Sequence, residues 1–280
     1  MRIAFLGPAG TFTEDALRGA LGGAEFEPLL TPTIHAAIMA VEGGAAERAL
    51  VPIENSIEGS VRETLDALAF DTEAVTIVGE HDFVVHANLI AARPLALGEV
   101  EVVLSHPQPL AQCARFLRDR LPQAKLVTAT STAEAVRLVC ESPSEHRSGA
   151  AIGGRAAADL YGGAVLAESI EDEAGNVTRF VWIAPAGTPP SEGEGWKTSL
   201  VFSELGEDHP GALVDALREF SSREVNLTRI ESRPLRQGLG RYMFFCDLEG
   251  AEGDEPVAAA VAALRTKAES VRILGSYPVR

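Results

Sequence analysis

Over the first two-thirds of the chain, short apolar runs alternate with longer amphipathic ones, the pattern of strands joined by helices over a mostly parallel sheet. RIAFLG (2–7) reads as a strand. TFTEDALRGAL (11–21) follows with apolar positions at helical spacing, Thr11 or Thr13 placed to cap it, and Glu14 and Asp15 in the first turn where the helix dipole favours acids. RALVPIE (48–54) predicts a second clear strand, entering the polar turn ENSIEGS and then the helical VRETLDALA. VEVVLSHP (100–107) repeats the plan and leads into LAQCARFLRDRL (110–121) as one helix. GAAIGG with RAAADLY (149–161) is a fourth strand, turn and helix. The β-rich stretch VTIVGEHDFVVHANLIA (75–91), broken at Gly79, predicts a crossing between lobes.

PAGTPPSEGEG (185–195) is rich in Pro, Gly, Ser and Glu and reads as a linker. Beyond it the order is strand, helix, strand, strand, helix, strand, which is the split βαβ order of a ferredoxin-like module over 196–280.

Composition narrows the function. Forty acidic residues against twenty-four basic give a net charge of −16, a field that repels a phosphate backbone, so no nucleic-acid partner is expected. An anionic small ligand would have to be held at short range by backbone N–H groups, hydroxyls and an arginine. No apolar run approaches the roughly 18 to 20 residues of a bilayer span, and the opening MRIAFLGPAG is interrupted too early for a secretion signal, so a cytoplasmic protein without membrane contact is expected. The cysteines, Cys113, Cys140 and Cys246, are scattered and odd in number, which supports neither a disulfide framework nor a metal site.

The candidate chemistry sits in the turns. GPAGTFT (7–13) joins a strand to a helix start, where free N–H groups favour an anion, yet it lacks the lysine of a P-loop and the third glycine of a dinucleotide fingerprint. Thr11, Asn55, Ser56, Ser105 and Thr178 all fall at predicted strand ends, the rim where open α/β sheets bind ligands. Thr11, Asn55 and Ser56 also fit a plain helix cap or turn, and Thr178 fits a strand by propensity alone. His106 has the chemistry for acid–base work or for a structural hydrogen bond, and no nucleophile turn with a Ser, His and Asp set accompanies it. Arg179, opening an apolar strand, needs a carboxylate partner if buried, a role open to a substrate.

Taken together, GPAGTFT, VPIENSIEGSV, SHPQPLAQC and NVTRF, in this order, resemble the catalytic domain of the prephenate dehydratases, and HPGALVDALREFSSREVNLTRIESRP resembles their phenylalanine-sensing ACT domain. Pro109 departs from the family pattern, at a first-turn position where proline is tolerated. The resemblance implies an α/β fold: a two-lobed catalytic domain (1–184) like the type II periplasmic-binding proteins, with lobes of roughly 1–79 plus 168–184 and of 80–167. Crossings are implied near Gly79 to Phe83 and near Ala167 to Ile170, followed by the linker and a ferredoxin-like βαββαβ ACT domain. It implies loss of water and CO2 from prephenate to give phenylpyruvate, with Thr178 as the catalytic hydroxyl. Gly10, Thr11, Asn55, Ser56, Ser105, Gln108 and Arg179 are implied to bind substrate, Arg179 alternatively bracing its loop. Neither a cofactor nor a metal is implied. L-phenylalanine is the implied effector, bound between modules of a homodimer or homotetramer by Gly211, Ala212, Leu213 and Val214 and by Glu231, Ser232, Arg233 and Pro234. Two rival readings stay open: dehydration of arogenate, and a non-catalytic amino-acid-sensing solute-binding protein.

Overall fold

The computed structural model describes residues 1–142, 147–205 and 210–279. The first lobe opens with β1 (Arg2–Leu6), α1 (Phe12–Leu21), β2 (Glu27–Thr31), α2 (Ile34–Glu42) and β3 (Arg48–Asn55). It continues through β4 (Gly59–Ser60) and α3 (Arg62–Asp66), which runs into a π-helical turn at Ala67–Asp71, and reaches β5 (Val75–Val84). The second lobe holds β6 (Asn88–Ala91), β7 (Val102–Ser105), α4 (Pro107–Gln112), α5 (Ala114–Arg120), β8 (Lys125–Thr128), α6 (Thr132–Glu141), β9 (Gly149–Gly153), α7 (Arg155–Tyr161) and β10 (Ala164–Ala167). The chain then returns to the first sheet as β11 (Val177–Pro185).

The first sheet has the order β2-β1-β3-β11-β5, with β1 parallel to β2 and β3, and β11 antiparallel to both of its neighbours. The second has the order β10-β6-β9-β7-β8. In β11 every residue from Phe180 to Ala184 is buried, as a strand covered on both faces requires.

Two expectations need correction. The first crossing does not fall at Gly79 to Phe83: β5 stays paired with β11 as far as Val84, and the chain changes lobe over 85–87. Gly79 does not end the strand; it sits opposite Trp182 where the register shifts, a local irregularity of the kind glycine accommodates. The helix expected over 110–121 is two helices. Asp172, on the return crossing, splits them: its backbone N–H takes the Gln112 carbonyl at 2.7 Å, and its carboxylate accepts from the Arg115 N–H at 2.9 Å, capping α5.

The last module comprises β12 (Trp196–Ser203), α8 (Ala212–Ser221), β13 (Leu227–Pro234), β14 (Tyr242–Glu249), α9 (Glu255–Leu264) and β15 (Ser270–Pro278), in an antiparallel sheet ordered β13-β14-β12-β15. Its helices bury one face through Phe202, Phe220, Leu248 and Leu264. The other face closes on the first lobe, where Phe245, Leu274 and Tyr277 share a core with Ile77, Val181 and Ile183. The approach is close enough that a Cβ added to Gly275 would lie 2.2 Å from the Ile77 carbonyl oxygen. His209 of the ACT-like segment lies outside the described residues. Among the described residues no helix is long and apolar enough to cross a membrane.

Candidate active site

A cavity of about 320 Å³ opens between the lobes, at the rim where strands run out into polar turns. From the first lobe Thr11, Asn55 and Thr178 face it; from the second, Gln108 and Ser131. The helix N-termini of α1 and α6 meet there. Thr11 caps the first, its Oγ accepting from the Glu14 N–H at 3.4 Å, and Ser131 caps the second, accepting from the Glu134 N–H at 3.0 Å. Among the described residues no Asp, Glu, Lys or Arg side chain lines the cavity, and His106 does, its Nδ1 accepting from the Gln108 N–H at 3.4 Å. Helix dipoles and amides, rather than Lys or Arg, are what it offers an anion.

The register of β3 against β11 sets Thr178 directly across from Asn55. The Asn55 amide has one orientation, because its Oδ1 accepts from the backbone N–H of both Ile57 and Glu58 at 3.0 Å. Its Nδ2 must then be the donor, to Asn176 Oδ1 at 2.7 Å and to Thr178 Oγ at 2.9 Å. Both amide protons are thereby occupied. Thr178 Oγ is fixed as an acceptor towards Asn55, and its own proton is free to point into the cavity.

Several expected substrate contacts lie elsewhere. Ser105 is fully buried and donates to the Ile152 carbonyl at 2.9 Å, tying β7 to β9. Ser56 accepts from the Val177 N–H at 2.9 Å and donates to the Gly175 carbonyl, stapling the loop ahead of β11. Gly10, at φ +82°, directs its N–H to Glu14 Oε2 at 2.8 Å and abuts Ala157 across the lobe boundary, where an added Cβ would stand 3.1 Å from the Ala157 Cα. Arg179 leaves the cavity altogether. Alternation along the strand puts it on the face opposite Thr178, where its Nη2 pairs with Asp247 at 2.6 Å and its Nη1 with Glu80 at 3.2 Å. Its carboxylate partners are the protein's own.

The second lobe adds a hydroxyl run, Thr130, Ser131 and Thr132, and Gln112 reaches the cavity with its Nε2 donating to Glu58 Oε1 at 3.2 Å. The hydroxyl run was legible in STAE, a capping pattern following a strand in the same rim position as Thr11.

Of the ACT-like segments, Gly211 precedes α8 at φ +101°, a backbone conformation suited to glycine, and Val214 is exposed on the first turn. On β13, Ser232 and Pro234 are exposed. Arg233 points the other way and grips Asp66 at the end of α3, with Nη2 to Oδ2 at 2.7 Å and Nε to Oδ1 at 3.0 Å. Burial pushes the Asp66 carboxyl up, and the hydrogen bonds from Arg233 and Arg236 outweigh it, leaving it below its usual range. The Arg233 side chain is thus an interdomain clamp, turned away from the exposed face of β13 that carries Ser232 and Pro234.

Comparison with known proteins agrees with this anatomy. A family model described as prephenate dehydratase matches residues 3–188, and one described as ACT domain matches residues 204–266. A prephenate dehydratase of Mycolicibacterium vanbaalenii is 42% identical, the alignment covering 99% of this chain and 90% of that one. The crystal structure of an Arthrobacter aurescens prephenate dehydratase in complex with L-Phe superimposes with a TM-score of 0.90 at 39% identity, covering 99% of this chain and 90% of that chain. A structure described as GqqA, a novel type of quorum quenching acylase, superimposes at 0.87 with 31% identity, covering 100% of this chain and 98% of that one.

Proposed function

The chain belongs to the prephenate dehydratase family, and we propose that it converts prephenate to phenylpyruvate, with L-phenylalanine acting through the ACT module. The observation that carries the mechanism is the fixed polarity of Thr178: Asn55 donates to its oxygen, so the hydroxyl proton is directed into an uncharged cavity ringed by helix N-termini. In the reaction the bond from the ring to its carboxylate breaks, its electron pair forms the new ring double bond, and the ring hydroxyl departs. CO2 leaves on one side and hydroxide on the other, the latter becoming water with a proton passed through the Thr178 hydroxyl and restored from solvent. Aromatisation makes the collapse downhill, so the protein has to orient a dianion and stabilise charge on the departing oxygen. A threonine hydroxyl is a weak acid, and it serves here as a preorganised donor whose hydrogen bond strengthens as that charge builds.

Gln108, with the N-terminal amides of α1 and α6, holds the two carboxylates; Thr11 serves by capping α1, since its hydroxyl proton goes to the Leu6 carbonyl at 3.1 Å. Asn55 acts through Thr178, since its own protons are used within the protein. The second-lobe hydroxyls close over the substrate as the lobes approach, shedding water. The keto acid suits this cavity better than its amino counterpart arogenate, because no lining carboxylate is present to receive an ammonium group.

On this reading L-phenylalanine binds between the ACT modules of two copies in a homodimer or homotetramer, at the start of α8 and the exposed face of β13. The support is the open edge of β13 in the sheet order and the exposure there of Ile230. The test is incubation of the purified protein with prephenate, following phenylpyruvate absorbance with and without L-phenylalanine. Thr178→Ala is expected to lower kcat by about 10² to 10³ with little change in KM, the scale for losing one transition-state donor. Wild-type turnover in that variant would remove Thr178 from the mechanism.

A further inference from the structure

Thr178 and Arg179 are consecutive, and they look in opposite directions: one into the cavity, the other into the seam between the first lobe and the ACT module. That seam holds a closed set of charges. The lobe supplies Arg179, Glu80 and Glu54, and the ACT module supplies Asp247, Lys197 and Arg229. Asp247 takes Arg179 Nη2 at 2.6 Å on one oxygen and the Ser199 hydroxyl at 2.7 Å on the other, with Tyr277 beyond Ser199 at 2.8 Å. Lys197 Nζ holds Glu80 at 2.7 Å, and Glu80 in turn holds Arg179. The Asp247 side chain is 2% exposed and that of Arg179 11%; on separation Arg179 keeps Glu54 at 3.1 Å and Glu80 at 3.2 Å, while Asp247 is left out of water with Arg229 at 3.7 Å. Burial pushes Asp247 up, and the guanidiniums of Arg179 and Arg229 more than offset it, so the carboxylate stays ionised below its usual range.

Buried ion sets of this kind are weak contributors to stability compared with apolar packing, and apolar packing already surrounds this one. Its position suggests another use. Asp247 lies on β14, and β13 is bonded along β14 with Arg229 opposite Asp247 and Glu231 opposite Phe245. The segment Glu231 to Pro234 is therefore coupled to Asp247 through one strand pair, and Asp247 to Thr178 through a single guanidinium.

We propose that Asp247 is a positioning residue for the reaction: by holding Arg179 it sets the main chain of β11 at Thr178, and it is the contact through which the ACT module alters turnover. The second half rests on the reading of that module as the L-phenylalanine site; the first does not. Because loss of the pair leaves Asp247 buried with the longer Arg229 contact, while Arg179 falls back on Glu54 and Glu80, the contact has a made and a broken arrangement, which is what a two-state coupling element needs.

The experiment uses the full chain and compares wild type with Asp247→Asn, Ser199→Ala, Arg179→Gln and the Asp247→Asn/Arg179→Gln double variant. It measures kcat and KM for prephenate with and without saturating L-phenylalanine, L-phenylalanine affinity by calorimetry, and Tm. Asp247→Asn is expected to bind L-phenylalanine within about threefold of wild type while kcat falls about tenfold, KM stays within about twofold, and the ratio of kcat with and without effector moves towards one. In the Arg179→Gln background the same substitution should add nothing further. Ser199→Ala, which keeps every charge and frees one Asp247 oxygen, should lie between these and wild type, and it decides the matter if Asp247→Asn does not fold. A merely structural contact would lower Tm and leave kcat and the effector ratio at wild-type values, and that result overturns the proposal. A wild type that turns over prephenate but ignores L-phenylalanine would instead refute the effector reading, with the kcat comparison still deciding the positioning role.

Discussion

Substituting Asn55 by aspartate changes one nitrogen to oxygen and reverses the hydrogen bond on which Thr178 depends. In the native site the amide donates to Thr178 Oγ at 2.9 Å and to Asn176 Oδ1 at 2.7 Å, while its oxygen receives the Ile57 and Glu58 N–H groups at 3.0 Å. The aspartate keeps the last two and can only accept at the other pair. Asn176 can turn its amide to donate, so the loss of stability is limited to about 1–2 kcal/mol. Thr178 has no such freedom: its single proton rotates to the carboxylate and leaves the cavity. The expected loss in kcat is that of removing the donor itself, about 10² to 10³, or about 2.7–4 kcal/mol of transition-state stabilisation. KM should also rise, because a carboxylate now faces a dianion. The assay is phenylpyruvate formation under saturating prephenate for wild type, Asn55→Asp, Thr178→Ala and the double variant, with Tm as the folding control. Since both changes remove the same proton, the double variant should have nearly the kcat of Thr178→Ala alone. A folded Asn55→Asp with kcat within about threefold of wild type would refute the assigned polarity of Thr178.

Asp15 on α1 accepts from the Ala156 N–H of the second lobe at 3.2 Å, and its pKa is raised from 3.8 to about 6, chiefly by burial, with Glu14 and Asp159 adding to the rise. A raised carboxyl favours the native state when protonated, so its contribution is full below about pH 3.8 and is lost as pH rises through about 6. Asp15→Asn should therefore match wild type at pH 4 and exceed it at pH 8 by about 1 kcal/mol after allowance for partial exposure, roughly 2 °C in Tm; a Tm difference independent of pH would contradict this. Gly275→Ala should lower Tm by the equivalent of about 2–3 kcal/mol and speed proteolysis of the segment 185–195, because the new methyl meets a backbone oxygen that cannot move aside. Gly211→Val should weaken L-phenylalanine binding measured by calorimetry, and equal affinity in both proteins would argue against a site at the start of α8.

The local grammar of this chain was sufficient for many of its elements and for the element order of the last module. Apolar alternation announced β1, β3, β7 and β9, acids after Thr11 announced the start of α1, and the strand and helix order after residue 196 announced the ferredoxin-like sheet. These features depend on neighbours within one or two turns, so periodicity and capping chemistry report them. What the tertiary structure decided are pairings over long separations. Asn55 and Thr178 meet across |i−j| = 123, and only that register shows that the amide serves the threonine and has no proton left for a ligand. Ser105 and Ser56 looked like rim donors because hydroxyls at strand ends suit that role, yet each found a backbone partner first. Arg179 shows the limit most plainly. Strand alternation required that it and Thr178 face opposite ways, but which of the two would see the cavity depended on the side from which the ACT sheet docked, and that is settled by the packing of Phe245, Leu274 and Tyr277 against Ile77 and Val181.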